Sequence, residues 1–138
     1  MKRLAVLSVV AVLFSAACAF GAVQDFGKFT LDIPAGWSAS QDGETVAVTK
    51  SDNSAAMSIT LDSADGASLE ELAAAFAKEL NATSPAATGD GDYTFSFNQN
   101  GVESKCLLSG GEGMYILVVM TGDDTAGMAA IMDTFAFK

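Results

Sequence analysis

Apolar residues recur at every second position through Phe29, Leu31 and Ile33, and again through Met57, Ile59 and Leu61. A period of two puts alternate side chains on one face of an extended chain, so these runs read as half-buried strands. Between them Pro34-Ala35-Gly36 turns the chain, Trp37 opens a second strand, Asp42-Gly43 signals a hairpin, and Val46 and Val48 return to the same core. Ser51 to Ser54 is a further turn. The body of the chain therefore opens as an antiparallel meander.

The period then changes. Ser68-Leu69-Glu70-Glu71 is a capping box, with the Ser68 hydroxyl placed to accept from a first-turn amide and Glu71 to reach back to the cap. Leu69, Leu72, Ala73, Phe76 and Leu80 follow at helical spacing, and Asn81 is a terminator. Ala82 to Asp92 reads as a loop. Alternation resumes at Tyr93, Phe95 and Phe97, Asn100-Gly101 is the strongest hairpin signal, and Val102, Ser104, Cys106 and Leu108 carry the partner strand. Gly110-Gly111-Glu112-Gly113 turns into Met114 to Met120, which is apolar on both faces, as a central strand covered from two sides requires. Asp123 or Asp124 caps a closing helix with Met128, Ile131, Met132 and Phe135 as its stripe, and Phe137 finishes the core. The expected class is α+β: a twisted, mainly antiparallel sheet with two packed helices, in one domain over residues 22–138.

Residues 1–21 read as a secretory signal peptide. Met1-Lys2-Arg3 is a basic start, Leu4 to Ala17 an apolar run too short to span a membrane, and Ala19-Phe20-Gly21 a small-residue exit before Ala22. A second processing route stays open, because Ser15-Ala16-Ala17-Cys18 partly resembles a bacterial lipobox, with Ser15 where Leu is usual; that route lipidates Cys18. The expected location is periplasmic or secreted, with lipid anchoring as the alternative.

Cleavage removes Lys2 and Arg3 and leaves five lysines against all 17 acidic residues, a net charge of −12. Such a surface repels phosphate backbones and anionic headgroups, which argues against nucleic acid and anionic membranes as partners. Cys106 is then the one cysteine of the body, a small apolar residue with no disulfide partner in a compartment that permits one.

Phe29-Thr30-Leu31-Asp32-Ile33-Pro34-Ala35-Gly36-Trp37 resembles the opening hairpin of the PsbP/DcrB/Mog-like superfamily, an alternating strand closed by Pro-x-x-Trp or Pro-x-Gly-Trp. The order that follows is also similar: a meander, a helix, a hairpin, a buried strand, and a terminal helix with an aromatic tail at Phe135-Ala136-Phe137. The resemblance covers most of the chain after the leader and implies that fold. The family includes extrinsic photosystem subunits, a Ran-binding factor, exported or lipid-anchored bacterial proteins, and chaperones that hold secretion effectors. Many of these bind another protein, so the resemblance implies non-catalytic work, and none of the family's binding residues carry over to this sequence.

The residues themselves weigh against several chemistries. No histidine occurs, which removes Ser-His-Asp and Cys-His units and imidazole metal ligands. The body also lacks arginine, and with it bidentate phosphate or carboxylate clamps. Gly110-Gly111-Glu112-Gly113 carries an acid where a phosphate cradle wants Lys, and it feeds a strand instead of a helix. No cofactor is expected. Paired carboxylates could serve a glycosidase, but nothing selects two of the 17.

Three groups of residues are left as candidates. Trp37 offers an aromatic face, and Phe95, Phe97 and Met132 border a groove between sheet and helix, adaptable because Met is flexible; both suit an envelope protein or a peptide, with core packing as the plain alternative. Asp90 and Asp92 flank Gly91, and Asp123 and Asp124 stand together, so calcium or a small ligand is the competing reading, against solvated loop acids and a helix cap. The first pair begins like an EF-hand loop but has Thr94 and Phe95 where the third acid and the invariant glycine belong. Asn81-Ala82-Thr83 is a glycosylation sequon, extended by Glu79 toward the bacterial acceptor pattern, or else an ordinary helix C-cap.

Overall fold

The computed structural model describes residues 22–111 and 113–138, so the leader, its cleavage site and Cys18 lie outside the described residues. Ten strands and two helices follow in order. They are β1 (Ala22–Asp25), β2 (Phe29–Ile33), β3 (Trp37–Asp42), β4 (Thr45–Lys50), β5 (Ala55–Ser63), α1 (Leu69–Leu80), β6 (Ala86–Ala87), β7 (Tyr93–Gln99), β8 (Val102–Gly111), β9 (Met114–Gly122), α2 (Thr125–Met132) and β10 (Ala136–Phe137). A three-stranded sheet runs β1-β2-β10 and a seven-stranded sheet β3-β4-β5-β9-β8-β7-β6. The class is the expected α+β, and β9 is the central strand of the larger sheet, as its two apolar faces require.

The chain divides into two compact units, one running to Met57 and resuming at Asp123–Lys138, the other Ser58–Gly122. In the first, the alternation read from sequence is the burial pattern: Phe29, Leu31 and Ile33 of β2, and Val46 and Val48 of β4, are buried. α2 lies against β2, and Met128 and Ile131 are its buried residues. The helix ends at Met132, so Phe135 stands beyond it and stacks on Phe29 with ring centroids 4.9 Å apart. Phe137 does not finish the core. It pairs with Phe29 across β10 and β2, meets Phe135 edge-on, and is 67% exposed.

The second unit is built on α1. Glu71 N–H donates to Ser68 Oγ at 3.1 Å and Ser68 N–H to Glu71 Oε1 at 2.9 Å, which is the capping box read from the sequence. The Ser68 N–H first, and then the Ser68 side chain, hold the Glu71 carboxyl below its ordinary value by hydrogen bonding to it. Asn81 ends the helix at φ 54°, ψ 42°, a left-handed cap that Asn tolerates. Ala73 and Ala77 of α1 pack with Phe95, Cys106, Leu108 and Leu117 in one buried cluster. Asn100 (φ 55°) and Gly101 (φ 82°) turn β7 into β8 so that Gln99 faces Val102, the two-residue hairpin their positive φ values favour. Gly111 faces Met114 across the next turn, and a Cβ on Gly110 would meet Leu69 Cδ1 and the Met114 carbonyl at 3.0 Å, so a side chain there would need both neighbours to shift by a few tenths of an ångström. Two elements have no counterpart in the sequence reading: β1, and β6 inside the segment expected to be loop.

Candidate functional site

Alternation along β7, β8 and β9 gives their sheet two unlike faces. Tyr93, Phe95 and Phe97, with Cys106 and Leu108 across from them, belong to the cluster under α1. The other face carries Thr94 and Ser96 from β7, Lys105 and Leu107 opposite them in β8, and Met120 opposite Lys105 in β9. The segment after α1 folds back along this edge. Thr83 N–H donates to the Ser96 carbonyl at 2.8 Å, Ser96 N–H donates to Thr83 Oγ1 at 3.0 Å, and Ala86 then pairs with Thr94. Thr83, Ser84 and Ala86 thus wall one side of a groove of about 510 Å³, within the range of small-ligand and peptide sites. Leu107 and Met120, both half-buried, are its main apolar surface, and Lys105 stands exposed at its border.

The structure relocates most of the residues singled out by sequence. Trp37 is 5% exposed and offers no open aromatic face; it is core. Phe95 and Phe97 face α1, so the groove expected beside them is filled by that helix, and Met132 belongs to the other unit. Phe95 borders the open groove on the far face because it sits in the strand that forms it. Asn81 is exposed, but Thr83 of the same sequon already accepts from Ser96 through its hydroxyl.

The acidic pairs are engaged separately. Asp124 caps α2 by accepting from Gly127 N–H at 2.9 Å and takes Lys50 Nζ at 3.0 Å. The cap bond first, then Lys50, hold its carboxyl below the usual range, and the same pair raises Lys50. Asp92 accepts from Ser109 Oγ at 2.7 Å, while Asp90 is exposed, its N–H donating to Thr88 Oγ1. Asp123 is exposed and its N–H donates to the Ser54 carbonyl. The four aspartates fall in different units, two in each, and among the described residues no group of three or more His, Cys, Asp or Glu is arranged to hold a metal ion. Of the four, Asp124 serves as a helix cap and ion-pair partner, and Asp92 anchors its loop to Ser109.

Cys106 is 2% exposed, and burial pushes its thiol up to about 11, so it packs as an apolar residue and not as a nucleophile. Sequence reasoning missed Lys105, Leu107 and the hydroxyls around them, and placed Met120 only at the end of a strand apolar on both faces. One signal was present: Leu107 beside Leu108 breaks the strand's alternation, which marks a strand with apolar contacts on both faces. Among the described residues no helix is long and apolar enough to cross a membrane.

Comparison with solved structures shows a PsbP-like fold. The solution structure of a cyanobacterial PsbP (CyanoP) from Synechocystis superposes with a TM-score of 0.60 at 10% identity, over 87% of this chain and 94% of that one. A crystal structure from Bacteroides thetaiotaomicron superposes with a TM-score of 0.54 at 15% identity over 88% of this chain, which spans 49% of that protein's length. No family model and no curated protein matches the sequence.

Proposed function

We propose that this chain is a non-catalytic exported factor that binds a segment of another envelope protein in the groove walled by Thr83–Ala86. The groove itself carries the proposal: apolar side chains, hydroxyls and one ammonium converge on an open volume of about 510 Å³ beside the seven-stranded sheet's last, two-residue strand. The lack of histidine throughout, and of arginine after the leader, supports binding over catalysis. The leader supports export, with cleavage before Ala22.

A photoreactive residue introduced at Ser96 tests the surface, with one at Ala74, on the exposed side of α1, as its control. The expected outcome is an adduct of defined mass from position 96 that is absent from position 74 and lost when Leu107→Asp is added to a chain still folded by circular dichroism. Equal labelling at the two positions, or none at 96, rejects the groove as the binding surface. The intact mass of native protein tests export: a chain beginning at Ala22 is expected, and one carrying diacylglycerol on Cys18 replaces the soluble form with a tethered one.

A further inference from the structure

Resting on the reading of this groove as a binding site, we propose that its occupant is the apolar carboxyl terminus of a peptide chain, with the terminal carboxylate paired to Lys105. Of the five lysines after the leader, Lys28 is committed to Glu44, Lys50 to Asp124 and Lys138 to Asp25, and Lys78 lies in the last turn of α1, outside the groove. The Lys105 ammonium makes no ion pair or hydrogen bond among the described residues, and no carboxylate lines the groove. Glu103, two positions along the strand and so on the same face, forms no ion pair with it. In a chain this acidic, the groove joins an uncommitted positive charge to apolar side chains, while Glu103 opposes a second negative charge.

Register sets how close charge and apolar contact must lie. Lys105 faces Met120 across two neighbouring strands and Leu107 follows it on the same face, so a ligand must present both chemistries within the reach of a single residue. A chain-terminal carboxylate sits on the same Cα as the last side chain and meets that requirement. The hydroxyls favour a peptide over an acyl chain. Those of Ser84, Thr94 and Ser96 make no hydrogen bond among the described residues, and each can both donate and accept. Hydrocarbon laid over them would strip their water and return nothing, whereas a peptide backbone offers carbonyl and N–H partners.

Fluorescence anisotropy on the mature chain tests this with a fluorescein-labelled hexapeptide ending in two leucines, as free acid and as C-terminal amide. On the wild type the acid is expected to bind about fivefold tighter than the amide, the scale of a partly exposed ion pair. On Lys105→Gln, the two should bind alike. Acid and amide binding equally to the wild type, or an acid advantage that survives Lys105→Gln, overturns the pairing with Lys105 and leaves the groove reading standing. Absence of binding by either form overturns both. Dodecanoate, which brings the same carboxylate on an acyl chain, is the third arm. Displacement of the labelled acid by dodecanoate at lower concentration than by unlabelled peptide overturns the assignment to a peptide.

Discussion

Among single residues, the one tryptophan of the chain, Trp37, carries the largest ring of the core. Pro34-Ala35-Gly36-Trp37 announced a turn and a large ring, and both are there, yet nothing in those letters said whether the ring faces water. The strand that Trp37 opens buries it at 5% exposure. Trp37→Ala should therefore cost about 3–5 kcal/mol in urea unfolding followed by circular dichroism; a loss under 1 kcal/mol would return the ring to the surface. Asp124 illustrates the same limit, since two adjacent acids suit a cap or a cation equally well on paper, and only the fold brings Lys50 to one of them. Its lowered folded-state value means that its stabilisation is present above the ordinary 3.8 and is lost as pH falls through the lowered value. Asp124→Asn keeps a cap acceptor and deletes the titration, so its melting temperature should fall less than that of the wild type between pH 5 and about 2. Parallel acid limbs for the two proteins would contradict the lowered value of the Asp124 carboxyl that its cap bond and Lys50 together produce.

Elements with strong local chemistry were legible almost to the residue. α1 runs over the segment that the capping box and Asn81 bracket, and the Asn100-Gly101 hairpin falls where positive φ is cheapest. Ser68→Ala removes one of the two reciprocal cap bonds and should lower stability by about 1 kcal/mol, read from denaturant midpoints. No change in midpoint would mean that the helix start is held by its packing alone. β1 and β6 escaped notice because neither carries a signal of its own. Ala86–Ala87 is too short to alternate and weak in strand propensity, and it extends because Thr83 and Ser96 have already tied the segment to β7. Phe137 failed for a related reason, because an aromatic at the end of a pattern reads as core until register shows that Phe135 holds the place against Phe29.

For the whole molecule, the order of periods gave the α+β class and the opening motif gave the PsbP-like fold, which the superposition on a cyanobacterial PsbP shows at 10% identity. The candidate site was not legible at that scale, because it exists only once Lys105, Leu107 and Met120 are aligned across strands and the segment from Thr83 walls them in. Its core-facing neighbours drew attention as aromatics while its working residues looked like ordinary strand surface. An NMR titration distinguishes binding in this groove from binding on the α1 face or the β1-β2-β10 sheet. Backbone amide shifts of the mature protein, followed by NMR while the hexapeptide acid is added, should move at Thr83–Ala86, Thr94, Ser96, Lys105, Leu107 and Met120 and stay fixed along α1. Shifts centred on α1 or on β1-β2-β10, or none up to millimolar peptide, would contradict the account.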